Sequence, residues 1–121
     1  MDKRELLHIG GVDYDDAMVR FRQKEALYFK YLFRLPADKL LEQSIAAFEA
    51  ENYEAAREAA HSLKGLAANL SAVKLNESCK KFVEAIRSSD YPSADCALRE
   101  MKKAFQNSKE AIEKIMTEYS E

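Results

Sequence analysis

One run of apolar residues limits the fold more than any other feature. Ala94, Leu98, Met101, Phe105, Ser108, Ile112, Ile115 and Tyr119 recur at alternating steps of four and three. That spacing holds one stripe on one side of an α-helix, whereas a strand would need a period of two. Leu75, Cys79, Phe82 and Ile86 repeat the pattern on a helix expected over about 75–88. Only 3 Gly and 2 Pro occur in 121 residues, which favours a few long helices over many short strands. At 47% hydrophobic residues the chain can bury a core as one domain over 1–121. The expected class is all-α. Short connections between long amphipathic helices imply antiparallel neighbours. The expected architecture is therefore an up-down-up-down four-helix bundle over about 13–119, with a short additional N-terminal helix and a lead-in segment at 1–12.

Composition removes several classes of function. Lys+Arg 19 against Asp+Glu 21 gives a net charge of −2, mixed along the chain with no basic stripe, so no nucleic acid is expected as a partner. No apolar run approaches the roughly 18 residues needed to span a membrane. Met1-Asp2-Lys3-Arg4-Glu5 is too charged to lead into a signal peptide, and the cytoplasm is the expected compartment. Cys79 and Cys96 lack the close pairing of a zinc or redox motif. Both fall among apolar helical positions and read as buried thiols. No metal and no cofactor is expected.

Along the chain, Leu6, Leu7, Ile9 and Val12 can pack from the lead-in segment, and Gly10-Gly11 breaks any helix before Asp13. His8 has no partner nearby in sequence and reads as incidental. Asp13 is a candidate N-cap for a short helix carrying Tyr14, Ala17, Met18 and Phe21. From Glu25 to Leu35 apolar residues lie almost all round the helix. This means burial on most sides, or a docking patch drawn from Met18, Tyr28, Phe29 and Phe33. Pro36 kinks or breaks this helix near Leu35, and Leu40, Leu41, Ile45 and Phe48 resume the period. Ser71-Ala72-Val73-Lys74 reads as a turn. Ser88-Ser89-Asp90-Tyr91-Pro92 is the clearest loop, with the last helix beginning near Ser93.

Asn52 can cap a helix over 53–70. Its apolar set, Tyr53, Ala56, Ala59, Ala60, Leu63, Leu66, Ala67 and Leu70, falls within about 80° of Leu63 on a helical wheel. His61 then points about 160° from the core direction, with Gly65 and Ala68 beside it. A helix-interior glycine costs roughly 1 kcal/mol relative to alanine. On this wheel, Gly65 is not there for packing within the chain.

An exposed imidazole beside a bare helix surface has limited chemistry. A metal site would need further ligands, and none is placed for closed coordination. Hydrolase chemistry needs a nucleophile, an orienter and a pocket; Ser62 points about 100° from His61, and a convex helix offers no pocket. Imidazole is itself a nucleophile and is largely uncharged near neutral pH at a reference pKa of about 6.5. It can attack a phosphoryl group directly. Lys64, three residues on, can reach the anion so formed. A missing side chain at Gly65 lets the backbone of a phosphoryl donor approach.

Ala60-His61-Ser62-Leu63-Lys64-Gly65, followed by Asn69-Leu70-Ser71-Ala72 and Leu75, strongly resembles the histidine phosphotransfer (HPt) domain of two-component phosphorelays. Gly11-Val12-Asp13, Leu27-Tyr28 and Asn52-Tyr53-Glu54 extend the resemblance over roughly 11–118. It implies a phosphocarrier without an ATP site of its own, not an autonomous enzyme. It accepts a phosphoryl group from a receiver-domain aspartate and passes it to another receiver. By that resemblance His61 is the phosphorylated residue, Lys64 supports the phosphoryl oxygens and Gly65 admits the receiver loop. Ala68, Arg57 and Arg87 are the expected partner-docking positions, and a monomer is the expected state.

The chain departs from the family pattern in two places. Ser71, and often Ala68, stand where the family has glycine. Val83 stands where it often places Gln or Glu to hydrogen-bond the histidine ring, with Arg87 one turn on. Two further readings stay open: an adaptor that docks receivers without transfer, and the phosphoacceptor domain of a histidine kinase. The Met1 start and the charged Tyr119-Ser120-Glu121 end suggest a freestanding chain.

Overall fold

A computed structural model describes residues 1–119, and the side chains of 1–118; the Ser120-Glu121 end and the Tyr119 side chain lie outside the described residues. Every regular element among the described residues is helical. They are α1 (Lys3–Ile9), α2 (Tyr14–Arg20), α3 (Glu25–Leu32), a 3-10 turn (Leu35–Ala37), α4 (Leu40–Glu49), α5 (Tyr53–Asn69), α6 (Val73–Arg87) and α7 (Tyr91–Tyr119). Helices α4, α5, α6 and α7 pack each on the next, and α1 packs on α7.

The short connections are built almost without glycine. After α2, α4, α5 and α6 the chain turns through a residue in the left-handed region: Arg22 (φ 52°, with Gln23 after it at φ 64°), Glu51 (φ 59°), Ser71 (φ 58°) and Ser89 (φ 53°). In each case two backbone bonds close the helix end. Around Glu51, for example, Glu51 N–H donates to Phe48 and Asn52 N–H donates to Ala47. This is a Schellman closure, which satisfies carbonyls the helix itself leaves open. After α4, α5 and α6 the next residue then opens the following helix. Asn52 accepts from Ala55 N–H at 3.3 Å and Asp90 from Ser93 N–H at 3.1 Å. One three-residue device thus ends one helix and starts another.

The Pro36 question resolves as a break. α3 stops at Leu32, and Pro36 lies in the 3-10 turn before α4. Proline has no N–H to return to the carbonyl four residues back, so the ladder cannot run through it. The apolar girdle of α3 then divides. Tyr28, Phe29, Leu32 and Leu35 enter the core and Phe33 is half-buried, while Leu27 and Tyr31 remain exposed. Met18 is core as well, so of the four candidate patch residues only Phe33 keeps part of its surface.

The lead-in segment is a helix in its own right. Asp2 caps α1 by accepting from Glu5 N–H at 2.9 Å. Leu6, Leu7 and Val12 are buried as expected, but Ile9 is exposed at the helix end. Gly10 seats the end of α1 on α7: a Cβ there would lie 2.6 Å from Ala111 Cβ. Ser108, the one polar residue of the α7 stripe, donates 2.7 Å to the Gly10 carbonyl. Ala94, Leu98, Met101, Ile112 and Ile115 are buried along that stripe, and Phe105 is half-buried. Stacked or edge-on rings link four helices at one end: Phe82 of α6 to Phe48 of α4, Phe48 to Tyr53 of α5, and Tyr53 to Tyr91 of α7.

The cysteines divide. Cys79 is buried, and that burial pushes its thiol up to about 12. Cys96 is exposed, a correction to the expectation of two buried thiols. It lies two residues before Leu98 and two after Ala94, about 200° from each on the wheel, and so faces away from the stripe.

Candidate functional site

α5 carries the histidine. Its core side is Ala56, Ala60, Leu63, Ala67 and Leu70, all buried, and Ser44 of α4 donates 2.9 Å to the Ala56 carbonyl across the helix pair. With that side fixed, His61 and Gly65 are exposed, and Lys64, Ala68 and Arg57 are half-buried. On the helical wheel, Arg57, His61, Lys64, Gly65 and Ala68 fall within about 100° of one another. The structure therefore gathers five of the six expected site residues on one flank of one helix.

Gly65 is bare toward solvent. A Cβ built there meets nothing within 4 Å. The contrast with Gly10 is direct: one glycine makes room for a neighbour inside the chain, and the other leaves room outside it. On the Gly65 side, Arg20, Phe21, Tyr31, Leu66, Asn69 and Leu70 line an open hollow of about 520 Å³. Its rim is cationic and aromatic, with the Arg34 guanidinium 5.2 Å from the Tyr31 ring centre.

The charged neighbours differ in freedom. Arg57 is held by Glu54, one turn back, through both guanidinium nitrogen types. Lys64 has no ion pair among the described residues. Its ammonium still acts toward α6, where its field works against the burial that raises Cys79.

α6 contributes less than the resemblance implies. Val83 is 1% exposed and carries no polar side-chain atom, so it offers the His61 ring no acceptor. Among the described residues the His61 ring has no hydrogen-bond partner. Arg87 is exposed in the last turn of α6, where a cation suits the helix dipole. One α6 residue was missed. Asn76 donates from its side-chain amide to the Lys64 carbonyl at 3.0 Å, part-buried. An amide between apolar Leu75 and Cys79 on the packing side of the helix was its available signal. By the register that this bond sets, Arg87 lies level with the first turn of α5, about two turns from His61.

Beyond the site, the far end of α5 is pinned. Tyr28 donates to the Leu70 carbonyl, Ser71 Oγ donates to Asp16 at 2.7 Å, and Asp13 N–H donates to the Ser71 carbonyl. The backbone at Ser71 is left-handed, a conformation that glycine adopts without steric cost.

No group of three or more His, Cys, Asp or Glu able to hold a metal ion is found among the described residues. No helix among them is long and apolar enough to cross a membrane.

Comparison with protein families matches residues 32–113 to the Hpt domain, and this chain belongs to that family. It is a phosphotransfer module of two-component signalling, of the kind that interacts with receiver domains. Neither the curated proteins nor the solved structures compared with the chain gave a match.

Proposed function

We propose that His61 carries the phosphoryl group in a relay, taking it from an aspartyl phosphate of one receiver domain and giving it to the aspartate of another. The observation that carries this reading is the pairing of an exposed imidazole with an unoccupied surface at Gly65, one turn away on the same flank. In the forward step a ring nitrogen lone pair attacks phosphorus in line. The N–P bond forms as the P–O bond to the receiver aspartate breaks, and the carboxylate leaves with its electron pair. Lys64, free of carboxylate partners among the described residues, stabilises the phosphoryl oxygens. The hollow beside Gly65 and the half-buried Ala68 and Arg57 form the docking rim, with Arg87 at its edge. In this reading the chain is a single domain, its packed helices an antiparallel up-down bundle preceded by N-terminal helices. It acts as a monomeric carrier with no ATP-dependent activity of its own.

A phosphorylated receiver domain incubated with the protein should transfer label to it, and His61→Gln should abolish the transfer. Label retained on that variant, for instance at His8, would end the assignment. The absence of a ring acceptor at Val83 favours one second reading, an adaptor that binds receivers without transfer. Receiver binding by the wild-type chain with no phosphohistidine formed would select it.

A further inference from the structure

The amide of Asn76 reaches from the first turn of α6 to the peptide that joins Lys64 to Gly65. The helix ladder uses one lone pair of the Lys64 carbonyl, and the Asn76 amide takes the other. The same planar peptide presents Gly65 N–H to the His61 carbonyl, four residues back. Asn76 is therefore coupled through one rigid unit both to the lysine and to the backbone of the histidine.

Three observations make that coupling matter. Gly65 gives this turn the least side-chain restraint in α5, with open space where a Cβ would be. The ring of His61 and the ammonium of Lys64 have no side-chain partner among the described residues. Asn76 also makes the one side-chain hydrogen bond between α5 and α6 among those residues. The turn that bears the chemistry is thus held from behind, by its backbone.

We propose that Asn76 is a positioning residue for phosphotransfer, fixing the Lys64–Gly65 peptide so that Lys64 and His61 meet the incoming phosphoryl group in one arrangement. The role rests on the phosphotransfer reading of His61.

Two variants test it. Asn76→Leu removes the donor while keeping the branched outline of the side chain and raising helix preference, and Asn76→Gln keeps an amide on a longer arm. Receiver affinity, the transfer rate from a phosphorylated receiver domain at saturation, and amide hydrogen exchange along α5 are measured for each. Asn76→Leu should bind the receiver as the wild type does and transfer about three- to tenfold more slowly at saturation, the value of one hydrogen bond expressed at the transition state. Exchange should rise at Gly65 and its neighbours and not along the rest of α5. Asn76→Gln should recover most of the rate. An unchanged saturated rate in Asn76→Leu overturns the proposal. So does a loss seen only as weaker docking, or exchange raised evenly over α5, since either marks a general structural role. An unlabelled wild-type chain would instead sink the phosphotransfer reading, and this role with it; a labelled wild type with an unaffected Asn76→Leu sinks only the role of Asn76.

Discussion

The Tyr28 hydroxyl donates a 2.8 Å hydrogen bond to the carbonyl of Leu70, inside the core and 42 residues away. Leu70 is the last residue before the left-handed turn at Ser71, so this bond closes the end of the helix that carries His61. Tyr28→Phe keeps the ring and leaves that carbonyl without its side-chain donor. Stability should fall by about 1–2 kcal/mol, the cost of a buried group losing its partner. Urea denaturation measures it, and an unchanged midpoint would show that the carbonyl is satisfied otherwise.

Gly65 and Gly10 should respond in opposite directions. Gly65→Ala adds a methyl in open space to a helix interior and should stabilise the fold by about 0.5–1 kcal/mol. Gly65→Arg should fold equally well and lose receiver transfer. Gly10→Ala drives a Cβ to 2.6 Å from Ala111 Cβ and 3.1 Å from the Asn107 carbonyl. It should cost about 1–3 kcal/mol as α1 is pushed off α7. Thermal melts of the three variants settle the order, and a folded Gly65→Arg that still transfers would refute the close-approach role of Gly65.

The helix caps make a finer prediction. Ser89 has φ 53° with no side-chain bond among the described residues, whereas Ser71 has φ 58° and donates to Asp16. Ser89→Gly should stabilise by up to about 1 kcal/mol by relieving the left-handed strain. Ser71→Gly relieves the same strain but gives up a charge-assisted bond, so its gain should be smaller or absent. Equal gains from both would mean that the Ser71–Asp16 bond contributes nothing to stability.

Alkaline pH should act through Tyr14. Burial, and then its hydrogen bond to Glu25, push the phenol from 10.0 up to about 12. The folded state prefers the neutral phenol. The stability it confers is therefore whole below pH 10 and is lost as pH rises through about 12. Tyr28 is raised as well, chiefly by burial, but it titrates in both proteins when Tyr14→Phe is compared with the wild type. The stability advantage of wild type over Tyr14→Phe should shrink between pH 10 and 12. A constant advantage across that interval would contradict the shift.

On the proposed relay, Lys64→Ala should slow transfer to His61 or shorten the life of the phosphohistidine, because the phosphoryl oxygens would lose the cation assigned to them. Both are read from a labelled-receiver time course. Unchanged values for each would remove Lys64 from the site.

Much of this arrangement was legible because helices write their burial into the sequence. The alternating stripe on α7, the caps at Asp13 and Asn52, and the outward wheel of His61 and Gly65 all follow from local rules acting within about one turn. The losses have equally physical causes. Gly10-Gly11 reads as a helix breaker and masks α1, although Asp2 followed by Glu5 three residues later is a cap signal for it. Cys96 falls among apolar helical positions in sequence, yet its wheel position between Ala94 and Leu98 turns it outward. Asn76 was missed because its partner is a backbone carbonyl on another helix, and no local pattern encodes that register. Pro36 left two outcomes open, since a kink and a break lose the same hydrogen bond and differ only in how the chain packs afterwards.

The bond from Ser108 to the Gly10 carbonyl spans 98 residues of sequence. Helices α4 to α7 each find their partner in the next segment of chain, contacts of the kind that form fast. α1 is different: the surface it packs on most is not made until the middle of α7 exists. On the ribosome, at about 5–20 residues per second, α1 therefore waits several seconds after its own synthesis for its seat. Within this bundle, the earliest helix made is thus among the last to be put in place.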